Sequence, residues 1–368
     1  MTFLEKLDVK KIIMVALCVL ISVLFFVFAY QAYPVPAGDS IYFLVPAVQF
    51  AARAELVSPL YPSDWMMDKV IDPTGARRFL FYPPLFPLVV SALMPWATPQ
   101  GAFVGVAIIN IAVILLSVLL FYKIVTLGGD LSWFKVFLVT LGLFALAASL
   151  FEAGRPEVLA RLWIVLGALV PFYTSKKYQW VLFGILLGLI FATHPPAGVF
   201  SILVLGIYFG ATLKFKDIVL WGSKIFLLSF LVSLGSIALG PFGVRETIYG
   251  TFRHVIAVNN FVALTGQTQG WFTLPNLFNH YILSPVAPFY GLVIILFLIL
   301  AVQFSRKHYD RFASPFVMIF CGAALLYIVG KVTYSMGHVF YITLFAPLIF
   351  AAFIHSFLGS GLIKKIAI

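Results

Sequence analysis

Long apolar runs dominate this chain and constrain it most. Runs near the length of a membrane-crossing helix recur from residue 12 to residue 358, separated by short polar joints. A helix rises about 1.5 Å per residue, so about 20 apolar residues cross a bilayer core of about 30 Å. The charged fraction is 10%, against about 25% in ordinary soluble domains. These features exclude a set of soluble domains and predict one all-α polytopic membrane bundle. A single transmembrane domain is expected over residues 1–368.

The first run, Ile12 to Tyr30, follows Lys6, Lys10 and Lys11. It is long for a signal-peptide core and reads as a retained first helix with a cytoplasmic N-terminus. The formal charge of +11 resides mainly in short loops, which argues for topology and anionic headgroups rather than nucleic acid. Cys18 and Cys321 both lie inside apolar runs, so neither a structural disulfide nor a thiolate metal site is expected.

Two polar stretches interrupt the pattern. Gln31 to Pro84 is the longer, and 241–281 is the second. Ile41 to Leu56 reads as a helix lying on the membrane surface, and Ser58–Gly75 as irregular chain punctuated by Pro and Gly. Leu85 to Met94 is apolar but short and bounded by Pro84 and Pro95. Basic groups at Lys176-Lys177, Lys214 with Lys216, Arg306-Lys307-His308 and Lys364-Lys365 mark inner loops. Gly154–Glu157 must then lie outside, together with Gln31–Pro84. An even number of spans separates the two stretches, so Leu85–Met94 is read as a re-entrant or surface helix. The outer element becomes 31–100. The predicted spans are 12–30, 101–124, 132–150, 158–174, 178–193, 197–213, 218–240, 284–304, 313–330 and 338–358, with both termini cytoplasmic.

On this topology the unusual polar residues gather on the outer face. Asp39, Arg77, Arg78, Tyr82, Glu152, Arg155, Glu157, His194, Arg245, Glu246, Lys331 and His338 all fall near outer helix ends. Polar groups near membrane depth are expensive and point to function. Asp39 reads either as a turn residue in Gly-Asp-Ser or as a carboxylate that takes a proton or holds a metal ion. Pro156 and Glu157 suit a helix start, whereas Arg155 beside them suits phosphate binding. His194 reads as an interfacial residue bonded to backbone, or as a proton carrier or imidazole ligand. Lys331 reads as a snorkelling residue or as a cation over a lipid phosphate.

Four pieces in order carry a resemblance. Gly38-Asp39 follows the first helix, and Tyr82-Pro83-Pro84-Leu85 closes the first loop. Gly154-Arg155-Pro156-Glu157-Val158-Leu159-Ala160 opens a helix, and His194-Pro195-Pro196 follows two spans later. Over roughly residues 1–215 the chain resembles the polyprenyl-phosphate-sugar-dependent membrane glycosyltransferases of the GT-C fold. The nearest groups are the protein mannosyltransferases and the lipid A aminoarabinose transferase. The resemblance implies an inverting enzyme with its site on the outer face, moving a hexose or pentose from a polyprenyl-phosphate donor to an acceptor hydroxyl. It implies Asp39 as the base, with Glu157 covering part of the role of a second acid, since Ser40 stands where many relatives have one. Arg77, Arg78, Arg155 and Lys331 are the implied phosphate cations, and Tyr82, His194 and His338 complete the substrate-binding set. No cofactor is required by this reading. A divalent metal ion is an option, with Asp39, Glu157 and His194 as its ligands. Expected partners are the lipid-linked donor, membrane lipids and an acceptor of unassigned class, with no nucleic acid. A carrier or flippase for a lipid-linked or small polar substrate is the competing reading. It would place ionisable groups at the bilayer midplane and show related halves; neither Asp nor Glu falls at mid-span, and no repeat is seen.

Overall fold

The fold is taken from a computed structural model, which describes residues 9–31, 39–57, 78–80, 82–126, 132–149 and 154–253, with residues 347, 348, 351 and 354. Among the described residues the chain is all-α, and the sole β feature is an isolated antiparallel bridge between Val57 and Arg78. The helices are α1 (Val9–Tyr30), α2 (Asp39–Arg53), α3 (Leu85–Leu93), α4 (Pro99–Thr126), α5 (Trp133–Ser149), α6 (Pro156–Tyr173), α7 (Lys176–Thr193), α8 (Pro195–Thr212) and α9 (Phe215–Ala238). A further helical stretch covers 244–253.

The first seven predicted spans fall on α1 and α4 to α9 to within three residues at each end. Among the described residues three helices, α4, α6 and α9, are long and apolar enough to cross a membrane, and shorter apolar stretches lie within α1 and α8. The predicted spans at 284–304 and 313–330 lie outside the described residues. Of the span at 338–358, four positions are described and helical. Leu348, Ala351 and Ile354 there are buried, and Ile354 Cδ1 stands 3.4 Å from where a Cβ on Gly142 of α5 would be.

Helix α1 shows why these runs suit a bilayer. Met14, Cys18 and Ile21, spaced four and three apart, are buried, yet Val15, Val19, Val23 and Phe26 on the opposite side are exposed and equally apolar. A helix that is apolar all round has no face for water. Helix α4 is the central element, starting on Pro99 with the Thr98 hydroxyl accepting from the Gly101 N–H at 3.2 Å. Its buried Val113, Ile114, Leu120 and Phe121 form a core with α1, α5 and α6.

Helices α6 to α9 are joined by turns too short for anything but up-and-down packing. Helix α9 touches α8, its chain neighbour, through Phe209 and Trp221, but packs chiefly along α7 and parallel to it. Gly184 and Gly188 permit this, because a Cβ on Gly188 would stand 2.6 Å from the Ser229 carbonyl oxygen and 2.7 Å from Val232 Cβ. Small residues four apart let two backbones approach where lipid offers no hydrophobic drive.

The short segment 85–93 is a nine-residue helix, about 14 Å long and half of what a crossing needs. Its buried Leu85, Phe86 and Val90 pack with Phe43, Leu44 and Ala47 of α2 and with the first turns of α4. This second core sits at one end of the bundle, and the polar cluster described next is built on it. The irregular run expected at Ser58–Gly75 lies outside the described residues.

Candidate functional site

The site starts from a glycine. Gly154 has φ +94, a conformation that L side chains rarely adopt. A Cβ at this position would also stand 2.7 Å from Leu44 Cδ1 and 2.9 Å from Ser40 Cβ. The sharp turn and the contact with α2 therefore both require glycine. Arg155 follows with extended backbone, as residues before proline favour, and Pro156 opens α6 at N1.

Glu157, in the first turn, is only 4% exposed. Its Oε1 accepts from Arg155 Nε at 3.1 Å and from Nη2 at 2.9 Å. The same oxygen lies 3.6 Å from His194 Nε2. His194 is 1% exposed, and its Nδ1 accepts from the Ala197 N–H at 3.1 Å, capping α8. An imidazole whose Nδ1 accepts carries its ring proton on Nε2, here the nitrogen that faces Glu157. The backbone-bonded reading and the functional reading of this histidine therefore hold together, one on each nitrogen. One residue back, the Thr193 hydroxyl accepts from Trp163 Nε1 at 3.2 Å and ties α7 to α6.

Tyr82 covers this pair. Its ring lies 5.6 Å from the His194 ring, tilted by 33°, and meets Phe43 of α2 edge-on at 5.3 Å. Ring contacts at such distances contribute about 0.5–1.5 kcal/mol each beyond area burial. The chain around Tyr82 is held from outside by residues that follow α9. Pro84 packs on Gly240, where a Cβ would stand 2.7 Å away, and Leu80 packs on Gly250 at 2.5 Å by the same measure. Arg78 Nη1 donates to Glu246 Oε2 at 2.7 Å, and its guanidinium lies 5.7 Å from the Phe242 ring. The two polar stretches predicted from sequence thus meet.

Tyr82, Arg155, Glu157 and His194 converge from three separate parts of the chain. Asp39 is the first residue of α2; its side chain lies outside the described residues, but its neighbour Ser40 is buried against Gly154. Arg78 is engaged by Glu246 at the rim. Arg77, Lys331 and His338 lie outside the described residues. Sequence reasoning missed Arg161, which is 2% exposed in α6. Its place four residues after Glu157 put it on the same helix face, and that spacing was the available signal.

Among the described residues no group of three His, Cys, Asp or Glu could hold a metal ion. The pair that is described, Glu157 and His194, already faces the Arg155 guanidinium at Oε1. The side chain of Asp39, the third candidate ligand, lies outside the described residues. Comparison with protein-family models, curated proteins and solved structures finds no match to this chain.

Proposed function

We propose that this chain is an inverting glycosyltransferase of GT-C type. It moves a sugar from a polyprenyl phosphate to an acceptor hydroxyl at the membrane face where the Arg155 group lies. The observation that carries the reading is the convergence of Arg155, Glu157 and His194 in one enclosed cluster beside Tyr82 and the start of α2. Arg155 and Glu157 are neighbours at one helix start, but His194 comes from a different helix junction, and its approach to Glu157 is not required by local capping. Burying a carboxylate and an imidazole costs several kcal/mol unless they are paired.

The chemistry assigned to each group follows from its place. Asp39 takes the proton from the acceptor hydroxyl as the acceptor oxygen bonds to the anomeric carbon. The bond from that carbon to the phosphate oxygen breaks on the opposite face, and the polyprenyl phosphate leaves with the electron pair. A phosphate is already a good leaving group, so the protein mainly orients the two reactants and stabilises the departing charge. Arg155 serves the phosphate, with its plane fixed by Glu157. Glu157 acts as an orienting anion rather than as the group that touches the acceptor. Tyr82 offers its ring face to the sugar. The finer architecture belongs to the same proposal, namely ten spans with both termini on the lysine-rich side, as the positive-inside tendency favours.

The test is transfer from a panel of polyprenyl-phosphate hexoses and pentoses in proteoliposomes. Asp39→Asn is expected to abolish transfer with an unchanged melting temperature. Full turnover by Asp39→Asn would remove the base assignment. Donor that crosses the bilayer with its glycosidic bond intact in the parent protein would favour the carrier reading instead.

A further inference from the structure

We propose that the helical stretch 244–253 is an interfacial helix that binds the phospholipid headgroup layer at the end of the bundle where the Arg155 group lies. The stretch has two unlike sides. Thr247 and Gly250 are buried and Thr251 half-buried, and this side rests on Leu80, whose carbonyl accepts from the Thr251 hydroxyl at 3.5 Å. On the other side Ile248, Tyr249 (57%) and Phe252 (63%) are exposed large apolar residues. Arg245 is exposed near its start and Arg253 closes it, the latter with its guanidinium 4.5 Å from the Tyr249 ring.

Position decides what this apolar side meets. Helix α9, long and apolar enough to cross a membrane, ends at Ala238. The turn 239–243 then leads directly into the stretch. A ten-residue helix that begins where a crossing helix ends cannot travel far from the bilayer surface. An exposed stripe of Ile, Tyr and Phe flanked by two arginines fits that boundary, with the rings at headgroup depth and the guanidinium groups on lipid phosphates. The one acid on the stretch, Glu246, is turned to Arg78 and leaves the lipid-facing side basic. Through Glu246 and Gly250 the same helix grips residues 78–80, so its seat in the membrane sets the height of Tyr82.

The test uses the full chain in lipid nanodiscs with Cys18→Ala and Cys321→Ala as background. A thiol-reactive NBD probe is placed separately at Phe252→Cys and at Ile248→Cys, so that one misfolded variant does not end the experiment. The expected result is several-fold stronger quenching by shallow spin-labelled phosphatidylcholine than by aqueous iodide, with emission shifted to the blue. Arg245→Gln with Arg253→Gln should weaken the lipid quenching in bilayers containing phosphatidylglycerol. Iodide quenching equal to that of free NBD-cysteine would overturn the proposal, placing the stripe in water. Protection from both quenchers would also overturn it, because the stripe would then be covered by protein. Neither readout depends on glycosyl transfer.

Discussion

The two ends of the helical bundle handle positive charge in different ways. At the end that holds Glu157, two arginines grip carboxylates, Arg155 on Glu157 and Arg78 on Glu246, and Arg78 and Arg253 also lie over the Phe242 and Tyr249 rings. At the opposite end the cations are lysines over aromatic rings. Lys10 lies 6.0 Å from the Trp133 ring centroid, Lys123 4.8 Å from Tyr173, Lys177 5.4 Å from Tyr178 and Lys224 5.3 Å from Trp180. A planar guanidinium fork fixes the orientation of the carboxylate it grips, whereas an ammonium on a flexible stem fixes very little. Lysine over an aromatic face suits a membrane boundary, where the stem lies in lipid and the head reaches water. One end is therefore built for a fixed geometry and the other for a position relative to the bilayer. The comparison can be broken by showing that the first end tolerates loss of its charges as easily as the second.

The largest effect is expected at Glu157. Glu157→Leu leaves the Arg155 guanidinium and the His194 ring facing a side chain that cannot accept. Removing one partner of a buried pair costs about 3–5 kcal/mol, and Arg155 is partly exposed, which points to the lower end of that range. Glu157→Gln retains the shape and one acceptor oxygen and should lose less. Thermal unfolding in detergent reads both. If Glu157→Leu melts with the parent protein, the pair adds nothing net and the geometric argument for this end fails.

Much of this end was legible in the sequence, for a physical reason. Gly154, Arg155-Pro156-Glu157 and His194-Pro195 break the apolar pattern at helix ends, where a bilayer permits polar residues only in return for function. The helices were legible because run length alone sets them. The short helix 85–93 followed from its length and the parity of the inner loops. What the sequence withheld was contact at long range. Nothing local says that Arg78 meets Glu246, or that α9 packs more closely along α7 than along α8. Those choices depend on which small residues face one another, and Gly184 and Gly188 look like any other glycines until Leu228 and Val232 are beside them.

Gly154 gives the next effect. Gly154→Ala combines an unfavourable backbone region with a clash against Leu44 and Ser40, and strained backbone of this kind costs about 1–3 kcal/mol. Gly222 is the matched control from the other end. It lies inside α9 with open space around it, so Gly222→Ala should stabilise by up to about 1 kcal/mol through helix propensity. Opposite signs in the two melting shifts sharpen the comparison, whereas equal shifts erase it.

The smallest effect is the most discriminating, because it sets an arginine–carboxylate pair at the rim against a lysine–aromatic pair. Arg78 and Glu246 have side chains 22% and 53% exposed, so screening limits their coupling to below about 1 kcal/mol. A double-mutant cycle with Arg78→Gln and Glu246→Gln should show a coupling of that size, shrinking as salt rises. Lys123→Gln, which removes a cation over Tyr173, should lose about 0.5–1 kcal/mol, so the two losses are close in size. The distinction lies in what else moves. Arg78 is bridged to Val57 and lies two residues before Leu80, the seat of the 244–253 helix. Breaking its pair with Glu246 should therefore loosen Tyr82 and raise the KM for a lipid-linked donor, while Lys123→Gln leaves KM unchanged. Equal KM values in the two variants would show that the Arg78–Glu246 contact is ordinary surface chemistry, and the contrast between the two ends would then rest on Glu157 and Gly154 alone.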